Sequence, residues 1–128
     1  MSEINFLTGH LFSTHKNNYK DWVIGSFVKE EEFNSDNFEF KFQKESKGFT
    51  RKPKKVLQQN VKNLAVLVYG KVRMNFGNEN TFMDKEGDYI YWSPDAPHEF
   101  EFLEDSLVIT IRWKNKNEKS LIFKKRKN

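Results

Sequence analysis

An all-β fold, a barrel or sandwich of many short strands, is what this sequence predicts. Two observations carry that prediction. Apolar residues recur with a period of two from Phe38 onward, and turn-forming residues interrupt them at regular spacing. Side chains alternate faces along a strand, so such a pattern gives each segment two unlike faces, one of them fit for a core. Many short strands divided by turns indicate a sandwich or barrel.

The alternating segments follow one another along the chain. Trp22 to Val28 reads as a first strand, with Gly25 inside it at a bulge. Phe38, Phe40 and Phe42 alternate with Glu39 and Lys41. Leu64 to Tyr69 is apolar without a break, which suits a more central strand. Val72, Met74 and Phe76 alternate with Lys71, Arg73 and Asn75. Phe100 and Phe102 alternate with Glu99 and Glu101. Leu107, Ile109, Ile111 and Trp113 alternate with Val108, Thr110 and Arg112. Between them fall Gly48, Pro53, Gly77-Asn78-Glu79-Asn80, Glu86-Gly87-Asp88 and Ser93-Pro94-Asp95-Ala96-Pro97. Glu104-Asp105 is a short connection suited to a hairpin. No helix longer than two turns and no internal repeat is predicted.

Composition bounds the rest. The chain has 128 residues, enough for one domain and for a core that needs no staples. Phe alone supplies 13 residues. Cysteine is absent, which excludes disulfides, thiol nucleophiles and Cys-ligated zinc and suits a cytoplasmic location. Met1 to Gly9 carries Glu3 and no long apolar run, unlike a signal peptide. No segment approaches the roughly 20 apolar residues of a membrane helix, so no membrane partner is expected. There is no Gly-rich phosphate loop, nucleophile elbow or zinc-protease helix.

The net charge is +4, but it is unevenly placed. Ile111 to Asn128 holds eight basic residues against Glu118, which leaves 14 basic and 17 acidic residues elsewhere. The sequence therefore divides into a β-barrel domain, 1–113, and a basic C-terminal tail, 114–128. In the tail Leu121, Ile122 and Phe123 could add a short strand. Lys124-Lys125-Arg126-Lys127 could contact nucleic acid or another polyanion. The run is short and has no aromatic-interleaved motif, so a solvated end is the favoured reading. Lys44 to Lys55 is a second basic run read the same way.

The stretch from Gly87-Asp88 through Pro97-His98 resembles the second conserved motif of the cupin superfamily. The Gly-to-His spacing, the acidic residue after Gly87 and Pro97 before the His all match; Ser93 and Asp95 depart from the pattern at the turn. Val68-Tyr69-Gly70-Lys71-Val72 is similar to the end of the first cupin motif. The resemblance covers about Phe38 to Trp113 and implies a small jelly-roll barrel of two sheets. In metal-binding cupins the first motif supplies two His and one Glu. The resemblance puts the Glu slot at Asn63, and the His slots at Leu57 and Gln59 or at Val56 and Gln58. None of these is His, Asp or Glu, and His98 alone of the four ligands remains. Imidazole and carboxylate hold a divalent transition metal; an apolar side chain and an amide do not. No cofactor is expected, and metal is disfavoured.

The sequence thus points to a cupin-like protein that binds a small polar or aromatic molecule, with His98, Gln58, Gln59, Asn63 and some of Tyr89, Tyr91 and Trp92 lining the mouth. Each has a plainer reading. His98 could be only a hydrogen-bonded histidine, the amides solvent-facing, and the aromatics core packing. Trp92 with Ile90, or Tyr89 with Tyr91, faces the lumen, but not both sets. The alternative is a cupin enzyme, an isomerase, epimerase or diverged oxygenase, with His98 central and Tyr91 as proton donor. The resemblance also implies a homodimer.

Overall fold

The computed structural model describes residues 5–14, 19–52, 61–92 and 98–114. Their elements run in the order α1 (Leu11–Thr14), β1 (Trp22–Ile24), a 3-10 turn (Glu31–Phe33), β2 (Phe38–Glu45), β3 (Thr50–Arg51), β4 (Val61–Tyr69), β5 (Val72–Phe76), β6 (Glu79–Met83), β7 (Tyr89–Trp92), β8 (Glu99–Phe102) and β9 (Ser106–Lys114). The strands form a five-stranded sheet, β1-β2-β9-β4-β7, and a four-stranded sheet, β3-β8-β5-β6. Every ladder between strands is antiparallel. β4, the unbroken apolar run, sits inside its sheet between β9 and β7, as expected.

The core lies between the sheets. Ala65, Leu67, Ile90, Trp92 and Val108 come from the larger sheet, and Val72, Met74, Met83 and Phe102 from the smaller. Phe49, Phe76 and Phe100 pack against this cluster. Each fully buried large apolar side chain is worth roughly 1.5–3 kcal/mol of transfer free energy.

Two sharp passages carry the chain from the larger sheet to the smaller and back, and they lie side by side. Gly70, at φ +103°, takes the chain from β4 to β5. A side chain there would overlap Ser106, and its Cβ would come within 2.6 Å of the Asp105 carbonyl. Glu104-Asp105 takes the chain from β8 back to β9, so it is a crossing between sheets and not the hairpin its length suggests. Ser106 fastens the two passages. Its Oγ accepts from the Lys71 N–H at 2.9 Å and donates to the Glu104 carbonyl at 2.7 Å. The Leu103 N–H donates to the Lys71 carbonyl at 2.8 Å.

The first strand is shorter than its sequence suggests. β1 ends at Ile24, and Gly25 turns the chain: its carbonyl accepts from Val28 and Ser35, each at 3.2 Å. The Gly77-Asn78 turn joins β5 to β6 as a hairpin. Gly87-Asp88 closes the loop into β7. The Gly87 N–H donates to the Leu67 carbonyl at 2.9 Å, and the Leu67 N–H donates to the Asp88 carbonyl at 2.9 Å. The Asp88 carboxylate accepts from the Asp84 and Lys85 N–H groups at 3.0 and 2.9 Å. Those two backbone donors, with Asp84 first, hold its carboxyl below the usual carboxylate range.

The largest departure from the sequence pattern concerns which face points in. In β2 the alternation offers Phe38, Phe40 and Phe42 on one face and Glu39, Lys41 and Gln43 on the other. The phenylalanines look like the core face, yet Lys41 and Gln43 are the buried residues, at 3% and 2% exposure. β9 follows suit. Arg112, Thr110 and Val108 stand opposite Glu39, Lys41 and Gln43, while Ile109, Ile111 and Trp113 share the outer face with the phenylalanines. The four-stranded sheet obeys the ordinary rule. Val72 and Met74 point in, and Arg73 and Glu101 form a 2.8 Å ion pair across its outer face. The expected tail strand over Leu121 to Phe123, and all of the tail beyond Lys114, which ends β9, lie outside the described residues.

Candidate functional site

The inverted face of β2 and β9 sets polar side chains beside the apolar core. Antiparallel register sets its rows, because directly opposed residues share a face. One row crosses four strands: Glu39, Arg112, Asn63 and Trp92. The next holds Trp22, Lys41, Thr110, Ala65 and Ile90. The third, Gln43, Val108 and Leu67, merges with the core. Polarity therefore falls with depth along the strands.

Contacts among these side chains are specific. Arg112 Nη1 lies 3.2 Å from Glu39 Oε1, both side chains roughly a quarter exposed. Trp22 gathers two cations: the Lys41 ammonium is 5.5 Å and the Arg112 guanidinium 5.4 Å from its ring centroid. Both distances are within reach of the attraction between a cation and an aromatic ring. Asn63 Nδ2 donates to the Trp92 carbonyl at 3.4 Å and is buried. Among the described residues Gln43 Nε2 is buried with no hydrogen-bond partner. An amide in that state carries a desolvation penalty of about 1–3 kcal/mol.

An aromatic wall faces this polar row. His98 precedes β8 in the same parity as Phe100 and Phe102, which points it inward. Its ring centroid lies 5.0 Å from Trp92, 5.7 Å from Phe100 and 6.0 Å from Phe76. Trp92 touches both features, packing its ring on His98 while its carbonyl holds Asn63.

Of the residues singled out in the sequence, the structure brings Asn63, Trp92 and His98 to this inner side. It places Tyr89 and Tyr91 elsewhere. Trp92 and Ile90 face the lumen, so both tyrosines lie on the outer face. Tyr89 is 63% exposed, and Tyr91 packs on Trp113 with ring centroids 6.4 Å apart. Burial raises the Tyr91 hydroxyl above its ordinary value, but it lies on the wrong side of the sheet to donate a proton into the lumen. Gln58 and Gln59 lie outside the described residues. Glu39, Lys41, Gln43, Thr110, Arg112 and Trp22 were not picked out by sequence reasoning. The usable signal was β4: it is apolar on both faces, which means the sheet has an apolar outer face too.

Among the described residues the donors on this face do not make up a transition-metal site. The position matching the cupin Glu slot carries an amide whose nitrogen is turned to a backbone carbonyl. Rings surround His98 on several sides. Among the described residues no three His, Asp or Glu side chains group to hold an ion. Lys41 and Arg112 bring positive charge to the same face, which opposes a cation.

No family model matches the chain, and no curated protein matches it in sequence. Solved structures match it in shape. KdgF from a Halomonas species superposes with a TM-score of 0.54 at 19% identity, over 64% of this chain and 74% of that one. A conserved protein of unknown function from Streptococcus pyogenes gives 0.56 at 13% identity, over 65% and 69%. A cupin 2 conserved barrel domain protein from Salinispora arenicola gives 0.52 at 14% identity, over 62% and 65%. At such identities the likeness is one of fold alone. The chain has a cupin-like fold, the one that Gly87 to His98 resembles in sequence.

Proposed function

We propose that this cupin-like chain binds a small molecule at the polar end of its barrel and does not run conventional metal-dependent chemistry. The observation that carries the reading is the burial of Lys41, Gln43 and Asn63 on the face that elsewhere holds the apolar core. Burying polar groups is unfavourable unless partners satisfy them. β2 has three phenylalanines that a one-residue shift in register would place inside, so a stability-driven sequence would not present this face inward. A bound molecule supplies the missing partner for Gln43 Nε2 and a reason for the inverted face. Trp92 and His98 would pack against its body, and Asn63 would keep Trp92 in place. Gln58 and Gln59 stay candidates for the same mouth.

A thermal-shift screen of small polar and aromatic compounds tests this reading. A binder should raise the melting temperature of the wild-type chain and lose most of that shift in Gln43→Met and Trp92→Ala. A binder whose shift survives both variants would place the site elsewhere.

The homodimer is a proposal as well. Its support is the outer face of the five-stranded sheet, where Phe38, Phe40, Leu64, Ile111 and Trp113 present an apolar surface. Phe12 of α1 packs on Phe42 at one end of it, with centroids 5.1 Å apart. Among the described residues no helix is long and apolar enough to cross a membrane.

A further inference from the structure

We infer that the molecule bound at this mouth is a small organic acid, held as its carboxylate with a flat or ring-shaped body; the inference rests on the lumen-binding reading above. The charge count on the inner face comes first. β2 and β9 present Glu39, Lys41 and Arg112 there, one negative and two positive groups. From the four-stranded sheet, Arg51 stands opposite Phe100 and Glu79 opposite Phe76, and these two offset each other. Lys114, exposed at the end of β9, adds to the positive side. Among the described residues this inner face therefore carries a positive surplus of two charges, one of them on the exposed Lys114. That surplus favours an anion over a neutral molecule or a cation.

Geometry then selects the anion. Trp22 fixes both cations against one ring, so they are held before any ligand arrives. Glu39 Oε1 lies 3.2 Å from Arg112 Nη1, which keeps the guanidinium on this face. A planar fork of N–H donors fits a planar carboxylate in a way that a point charge does not. The wall of Trp92, His98, Phe76 and Phe100 offers ring faces and edges to the body of the acid. Deeper in, Gln43 Nε2 awaits an acceptor oxygen, such as a carbonyl or hydroxyl on the body.

The test uses the full chain and a library of small carboxylic acids, each paired with its primary amide, together with inorganic phosphate. Binding is read by thermal shift and by tryptophan fluorescence. Acids should bind at least about tenfold more tightly than their amides, the effect of roughly one favourable charge contact. The acid-to-amide ratio should fall to near one in Arg112→Gln and in Lys41→Met. Because the readout is a ratio within each protein, a variant that loses some stability still reports. If a variant does not fold, the wild-type ratio decides alone. Amides that match their acids, a ratio that survives both variants, or phosphate that binds as tightly as the best acid would each overturn the inference. Neutral compounds that bind while acids do not, with a shift lost in Gln43→Met, would overturn it and leave the lumen reading standing. A library in which nothing of any class binds would count against both.

Discussion

Ser106 has no exposed surface, and its hydroxyl serves two passages of chain that come from different sheets. Gly70 is the residue that lets those passages touch. A methyl group there meets Ser106 and the Asp105 carbonyl, at a positive φ that disfavours any side chain. Gly70→Ala should therefore destabilise the fold by about 3 kcal/mol in chemical denaturation; a loss within error of zero would mean that the passages are not packed this way. Asp88 acts at the turn before β7. Its carboxylate is favoured in the folded state by the Asp84 and Lys85 N–H groups, so its folded value lies below its unfolded one. The stabilisation is then fully present above the ordinary carboxylate range and is lost as pH falls through the lowered value. Asp88→Asn should melt below wild type near neutral pH, and the gap should close in acid. A gap that does not change with pH would contradict the assignment.

At the scale of elements, β2 is the strand on which the sequence misleads. Its alternation was legible, because a period of two marks any strand with unlike faces. Which face enters the barrel was not legible, since hydrophobicity alone favours Phe38, Phe40 and Phe42. The answer depends on the neighbours. β4 and β9 carry apolar residues on their outer faces, so the phenylalanines of β2 join a continuous apolar surface there. The polar inner face of β2 and β9 went unread for that reason, while the resemblance to a motif singled out Asn63, Trp92 and His98, which lie on the same inner side. The inversion has a stability signature. Gln43→Met replaces a buried amide that has no partner by an apolar chain of similar length. It should leave the ligand-free protein as stable as wild type or about 1 kcal/mol more so, while weakening the ligand. A marked loss of stability would mean that Gln43 has a structural partner. The two faces of β7 give a matched contrast. Trp92→Ala should abolish binding at the mouth, and Tyr89→Ser, on the outer face, should leave it unchanged in the same titration.

The molecule as a whole joins two unlike sheets. The smaller is polar outside and apolar inside, and its contribution to the fold follows from its sequence pattern. The larger is apolar outside and, toward one end, charged inside. That asymmetry favours association of two copies through the larger sheet, and light scattering should find a dimer that Ile111→Lys converts to monomer. A wild-type monomer would remove that proposal without touching the lumen. The inverted face itself is open to one direct measurement, because the chain contains no cysteine and any introduced thiol is unique. Lys41→Cys and Gln43→Cys, each verified by a cooperative melt, are labelled with a thiol reagent in native buffer and in denaturant. If these positions face the barrel interior, native labelling should be slower than in the unfolded chain by at least about a hundredfold, since the reagent must await local opening. Native labelling as fast as in denaturant would put Lys41 and Gln43 on the outside, the phenylalanines of β2 within, and the proposed site out of existence.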